Sequence, residues 1–323
     1  MAVVNEREAR SNGEAMDAVT ESSSTDTLTR FRLDIAYDGG GFNGWAVQPQ
    51  QRTVQGEIEN ALGMVFRRDP PTPRLVVAGR TDAGVHAAGQ VAHLDLTPAQ
   101  LKTLRRRRSV PAEEREDGAM LARRINGIQG AHPDLVVTKA ALAPAGFDAR
   151  FSALWRRYQY RVADSVSRRD PLQRHRTTWH PAHLDVDAMD AAAVSLVGLH
   201  DFASYCKPRE GATTIRTLQE FRWSRDEHGV LIARLQADAF CHSMVRALVG
   251  ACVAVGEGKL AVGDVVLLRD LGDKTADAFK VMQARGLTLM EVGYPDAAEL
   301  AVRAQQTRAR RSADAEPALR LTP

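Results

Sequence analysis

The chain has 323 residues, 44% hydrophobic and 26% charged, with a formal net charge of +3, enough to bury a core without disulfide or metal staples. No apolar run approaches the roughly 18 residues of a membrane span, and no signal-like apolar stretch stands near the N-terminus. Three cysteines, Cys206, Cys241 and Cys252, lack paired spacing and fit a reducing cytoplasm rather than a secreted disulfide framework.

The charge is unevenly placed. Residues 1–27 carry a net −4, residues 299–323 a net +2, and the body between them +5. A mildly basic body is compatible with a polyanionic partner.

Residues 1–27 are polar, rich in Ser and Glu and without periodicity, which predicts a disordered tail. Phe31, Leu33, Ile35 and Tyr37 then alternate with polar or small residues, the pattern of a half-buried strand that ends at Asp38-Gly39-Gly40-Gly41. Thr53 caps a helix carrying Val54, Ile58, Ala61, Leu62 and Val65. Leu75-Val76-Val77-Ala78 predicts a buried strand running into Gly79, and Gln90 to Leu96 predicts its return. Between Lys102 and Gly118, Arg105 to Arg108 face Glu113 to Asp117, which reads as a solvated surface insertion in preference to an RNA-binding arm.

The second half continues the mixture. Tyr158, Tyr160 and Val162 share one face of a strand, and Arg157, Gln159 and Arg161 share the other. Asp185 caps a helix with Met189, Ala193 and Leu196, closed by Gly198. Phe221/Trp223 and Leu231/Ala233/Leu235 flank an Asp226-Glu227-His228-Gly229 turn. Met244 to Val255 is apolar and helical in length, and from about Leu300 an Ala/Arg-rich segment could form a helix but reads more readily as a tail that frays. Interspersed strands and helices with hairpin-like pairs predict an α+β fold with a large antiparallel component. A weak boundary falls near Ala149-Arg150.

Some motifs lead nowhere. Gly39-Gly40-Gly41-Phe42-Asn43-Gly44 has the spacing of a dinucleotide-binding loop, but that loop must open a helix, and Pro49 breaks one there. His180, His183 and the Cys241-His242 pair lack the short paired spacings of a zinc site. Ala78-Gly79-Arg80-Thr81-Asp82-Ala83-Gly84-Val85-His86 is different, because it presents one carboxylate between two glycines on a loop joining two strands. Taken alone, Asp82 reads more readily as a turn-capping residue and Arg80 as an ion-pair partner. Arg156 to Arg161 interleaves cations with aromatics, a combination suited to phosphates and unpaired bases and also to an ordinary strand. Arg246 opens an apolar helix and requires an anion, carboxylate or phosphate.

Taken in order, these segments resemble the tRNA pseudouridine synthase A family over most of residues 30–295. The resemblance rests on Tyr37-Asp38-Gly39, Phe42-Asn43-Gly44-Trp45, Thr53-Val54-Gln55-Gly56, Gly79 to His86 with Gly89-Gln90-Val91, and Phe147 to Ala153. Arg157-Tyr158-Gln159-Tyr160, His200 to Ser204, Met244-Val245-Arg246 with Val249-Gly250, and Gly286 to Leu289 complete it. Ala46, Asp148 and Met282-Gln283 depart from the family's usual Gln, His and Ala-Pro.

The resemblance implies a central mixed, largely antiparallel sheet with flanking helices, in two similar lobes around a catalytic cleft. On that frame residues 28–150, with an insertion at 102–118, form the N-terminal lobe, 151–298 the C-terminal lobe, and 299–323 a tail. It implies isomerisation of uridine to pseudouridine at positions 38, 39 and 40 of the tRNA anticodon stem-loop by a cytoplasmic homodimer, without metal or organic cofactor. Asp82 matches the catalytic aspartate, Tyr158 the tyrosine stacked on the target base, Arg246 the arginine paired with the aspartate, and Arg80 an arginine of base eversion. Two alternatives stand beside it. One is a catalytically idle tRNA-binding module or RNA chaperone of the same fold; the other is a nucleotide-dependent enzyme built on the 39–44 glycines.

Overall fold

A computed structural model describes residues 27–105, 116–130, 134–209, 213–272 and 278–319. The tail expected at 1–27 and the centre of the charged stretch, 106–115, lie outside these, except for Thr27. The N-terminal half supplies strands β1 (Thr29–Tyr37), β2 (Val76–Val77), β3 (His86–Leu96) and β4 (Leu135–Leu142), with helices α1 (Val54–Val65), α2 (Pro98–Arg105) and α3 (Asp117–Gln129). The C-terminal half supplies β5 (Trp155–Ala163), β6 (Thr178–Trp179), β7 (Gly198–Asp201), β8 (Ile215–Arg225), β9 (Leu231–Ala237) and β10 (Leu287–Gly293). Its helices are α4 (Val186–Ser195), α5 (Met244–Gly256), α6 (Asp264–Asp270) and α7 (Leu300–Leu319).

The strands form one mixed sheet in the order β4-β1-β3-β10-β5-β9-β8-β7, with β2 beside β3 and β6 beside β5. Pairing is antiparallel except at β10–β3 and β5–β6. The parallel β3–β10 seam joins the two halves. In register across it, Tyr37, Ala87, Leu289, Tyr158, Leu235 and Phe221 form one row on one face of the sheet, and all six are buried. Burial of that row is the main reason the register is fixed, since a one-residue slip would turn it to the other face.

The helices follow from their sequences. The Thr53 hydroxyl accepts from the Gly56 amide at the start of α1, and the Asp185 carboxylate accepts from the Asp187 and Ala188 amides at the start of α4. Each cap is worth about 1 kcal/mol. Helix α5 is apolar nearly all round and nearly all buried, as such a composition requires. Gly250 in its middle has no room for a side chain, because a Cβ there would collide with the Lys280 carbonyl. No described helix is long and apolar enough to cross a membrane.

Four expectations change. The strand expected at 75–78 is only Val76–Val77, with Val76 exposed, while Leu75 and Ala78 turn inward on either side. The strand expected from Gln90 begins four residues earlier, at His86. The charged stretch is not all insertion: Lys102 to Arg105 end α2, and Asp117-Gly118 begin α3, where Asp117 forks onto Arg105. The segment from Leu300, expected to fray, is helix α7. Leu300 and Ala304 are buried, Ser152 donates to the Leu300 carbonyl at 3.0 Å, and Arg308 pairs with Asp148 at 2.6 Å. Its apolar stripe is narrow, and the surface that covers it comes from residues 146–152.

Candidate active site

The loop between β2 and β3 is held by its backbone. Gln90 Nε2 donates to the Gly79 carbonyl at 2.9 Å, and the Tyr37 and Thr81 hydroxyls meet at 2.8 Å. The Trp45 amide donates to the Thr81 carbonyl at 3.1 Å and the Gly84 amide to the Phe42 carbonyl at 3.2 Å. Gly44 makes the close approach possible, with φ of +87° and only 3.0 Å between the Thr81 carbonyl and where a Cβ would stand. The 39–44 glycines therefore shape a loop that buttresses Asp82. They open a short 3₁₀ turn and no α-helix.

Asp82 points across the seam at the start of α5. Its Oδ2 lies 3.5 Å from Arg246 Nη1 and 3.5 Å from Ser243 Oγ, and its Oδ1 lies 3.6 Å from His242 Nε2. These are long contacts, and the side chain is 32% exposed, so the carboxylate faces donors without being locked by short hydrogen bonds. Arg246 is itself anchored: its Nε donates to the Met282 carbonyl at 2.7 Å, and its own carbonyl accepts from the Met282 amide at 3.1 Å. Ser243 takes a left-handed conformation, φ +64°, to turn the chain into the helix. For a residue with a Cβ this costs about 1–2 kcal/mol, a local strain of the kind that collects at working sites.

Tyr158 lies one strand beyond β10 from the start of β3, 8% exposed, with its ring edge-on to Phe240 at 5.2 Å between centroids. Burial first, and then the nearby Tyr37 and Asp82, push its phenol above the ordinary tyrosine range. Tyr37, beneath the loop, is likewise pushed up by burial, to about 12. Of the four residues singled out from sequence, the structure brings Asp82 and Arg246 into contact and sets Tyr158 within electrostatic reach. Arg80 stands on the same loop with an exposed side chain and touches neither Asp82 nor Arg246.

Sequence reading passed over His242 and Ser243 as partners of Asp82. Their only signal was adjacency to Arg246, since they lie about 160 residues from Asp82 in the chain. Cys241, read as unpaired, is joined to Cys206 in a disulfide with Cα atoms 5.8 Å apart, which ties the 203–206 turn to the loop carrying His242 and Ser243. Among the described residues no group of three or more His, Cys, Asp or Glu could hold a metal ion. His180 instead meets Glu257 at 3.0 Å.

A family model described as tRNA pseudouridine synthase matches residues 192–295, the stretch that carries Arg246 and β10. The chain is 65% identical over 291 residues to the tRNA pseudouridine synthase A of Leifsonia xyli subsp. xyli, covering 89% of this chain and 99% of that one. The chain belongs to the tRNA pseudouridine synthase A family. The protein of the same name from Streptomyces griseus is 54% identical over 284 residues, covering 87% and 93% of the two chains. That from Cutibacterium acnes is 50% identical over 289 residues, covering 88% and 96%.

Two departures from the tRNA pseudouridine synthase A pattern have simple structural readings. Met282 and Gln283 meet the site through backbone carbonyls, which accept from Arg246 Nε and from the Tyr160 hydroxyl at 2.7 Å each, contacts that any residue can make. Asp148 accepts from the Arg150 and Phe151 amides at 2.9 Å and anchors α7 through Arg308.

Proposed function

We propose that the protein isomerises uridine to pseudouridine at positions 38, 39 and 40 of the tRNA anticodon stem-loop, with Asp82 as the nucleophile. The observation that carries this reading is the single carboxylate facing Arg246, Ser243 and His242, in a chain 65% identical to a tRNA pseudouridine synthase A. The reaction needs no net gain or loss of atoms. The bond from ribose C1′ to uracil N1 breaks, the base rotates, C1′ bonds to C5, and the proton leaving C5 is balanced by one gained at N1.

A carboxylate held on a rigid loop can supply the electron pair for the first step, and the Arg246 guanidinium beside it stabilises the charge in the cleft. Tyr158 offers a buried ring against which a flipped-out base can stack, its phenol kept neutral by burial. Arg80, exposed two residues before Asp82, enters the stem as the base leaves it in this reading. The enzyme acts as a homodimer, which presents a larger basic surface to the anticodon arm.

Tritium release from anticodon-arm RNA carrying 5-³H-uridine tests this directly. Wild-type protein is expected to release tritium, and Asp82→Asn to release it about 10³-fold or more slowly while still binding the RNA. Undiminished release by Asp82→Asn would remove Asp82 from the chemistry, and no release by wild type on bound RNA would overturn the isomerase reading.

A further inference from the structure

Several stretches of the chain are dense in arginine, and two of them, 105–108 and 168–176, differ in what their charges do. Arg105, at the end of α2, is forked onto Asp117, and the acidic residues that follow keep that stretch near neutral. Between β5 and β6, residues 168–176 hold Arg168, Arg169, Arg174, His175 and Arg176 against a single acid, Asp170. The Asp170 carboxylate already accepts from the Leu172 amide at 2.8 Å. The carboxylates of adjoining segments are occupied as well: Asp164 by Arg225, Asp226 by Arg161, and Glu257 by His180 and Lys259. No described carboxylate pairs with any of these four arginines, and the side chains of all four are exposed.

Two features show a surface organised to receive an anion. Arg169 lies over the ring of Trp179 with its guanidinium carbon 3.8 Å from the ring centroid, and Trp179 is 40% exposed. Stacking engages the face of the guanidinium and leaves its N–H donors in the plane, where they match the oxygens of a phosphodiester. Arg176 is pushed below the ordinary arginine value, by loss of solvent around it first and by the charge of Arg161 next.

The patch is also linked to Arg246 through hydrogen-bonded neighbours. Thr178, at its end, meets the Tyr160 hydroxyl at 2.8 Å; that hydroxyl donates to the Gln283 carbonyl at 2.7 Å, and the neighbouring Met282 carbonyl holds Arg246. We infer that residues 168–179 are a second RNA contact, in which the exposed arginines and the Arg169–Trp179 stack grip the phosphodiester backbone of the substrate RNA outside the reacting nucleotide. This rests on the tRNA-modifying reading and adds the surface that would hold the strand.

The test compares equal charge removal at two places. Arg168→Ala/Arg169→Ala removes two charges from the patch, and Arg67→Ala/Arg68→Ala removes two from an exposed turn after α1. Binding of a fluorescent anticodon-arm RNA and of full-length tRNA is measured at several salt concentrations, with tritium release by wild type as a parallel readout. Each phosphate that is no longer neutralised should lower the slope of log K against log salt by about 0.7–0.9. The patch variant is therefore expected to bind ~10-fold more weakly at moderate salt with a slope shallower by about 1.5, the turn variant being unchanged. A four-residue Ala variant, 168, 169, 174 and 176, should extend both effects.

Equal weakening by the two double variants would overturn the inference in favour of a general field effect, and so would no weakening by either. If wild type releases tritium and the patch variants bind normally, the patch fails and the isomerase reading stands. If wild type binds through the patch but releases none, the isomerase reading fails and the RNA contact stands.

Discussion

Asp82 reaches the cleft from a loop whose neighbours in its own half hold it by the backbone, at Gly79, Thr81 and Gly84. Arg246 instead comes from the first turn of a helix packed on nearly all sides, with Ser243 at its N-cap and His242 just before, and all three address Asp82 through side chains. The N-terminal half thus fixes where the carboxylate stands, and the C-terminal half supplies the charge that faces it. Disturbing the first should cost stability and position together, whereas disturbing the second should cost rate while the fold persists.

Asp82→Asn removes the carboxylate that the C-terminal half addresses and is expected to lower single-turnover isomerisation by about 10³-fold or more with RNA binding intact. Arg246→Ala removes the facing charge, and a loss of about 10²-fold in rate is expected by analogy with other positioned charge-stabilising donors. Thermal unfolding of that variant should stay close to wild type. A drop in melting temperature matching the rate loss would erase the distinction between the halves.

The N-terminal half should show the opposite balance. Tyr37→Phe leaves the buried Thr81 hydroxyl short of a partner and is expected to cost about 1–3 kcal/mol in urea unfolding. The same half carries a pH signature. Burial first, and Arg30 next, hold His93 down at about 4, while the unfolded chain takes up that proton near pH 6.5. Stability from this site is therefore full above about pH 6.5 and falls as pH drops toward 4, by roughly 2–3 kcal/mol. Unfolding curves of wild type and His93→Gln at pH 7 and pH 4.5 check it, the substituted protein showing the smaller acid loss. Tyr158→Phe keeps the ring and its contact with Phe240, so the rate should fall by less than for Arg246→Ala. With the phenol pushed upward, no activity should be lost as pH rises through 9 to 10.

Much of this was legible in the sequence where the signal is local. Alternation placed β1, β5, β8 and β9, caps at Thr53 and Asp185 placed α1 and α4, and unbroken apolarity placed α5. The glycines flanking Asp82 marked the Gly79–His86 loop as unusual, but only the family resemblance singled out its carboxylate. What depended on distant partners was not legible. The β3–β10 seam pairs residues about 200 positions apart, α7 is held by residues far upstream, and the Cys206–Cys241 pair has nothing in its spacing to mark it. His242 and Ser243 acquire their role only when the sheet brings α5 to Asp82.

The central claim is that the two halves act as one site through the Asp82–Arg246 contact. A double-mutant cycle measures it: single-turnover rates for Asp82→Asn, Arg246→Ala and the doubly substituted protein, on anticodon-arm RNA at saturating enzyme. If Arg246 works through Asp82, the doubly substituted protein should be no slower than Asp82→Asn alone. If the two losses multiply, Arg246 acts independently of Asp82, and the halves do not share one site in the way their contact implies.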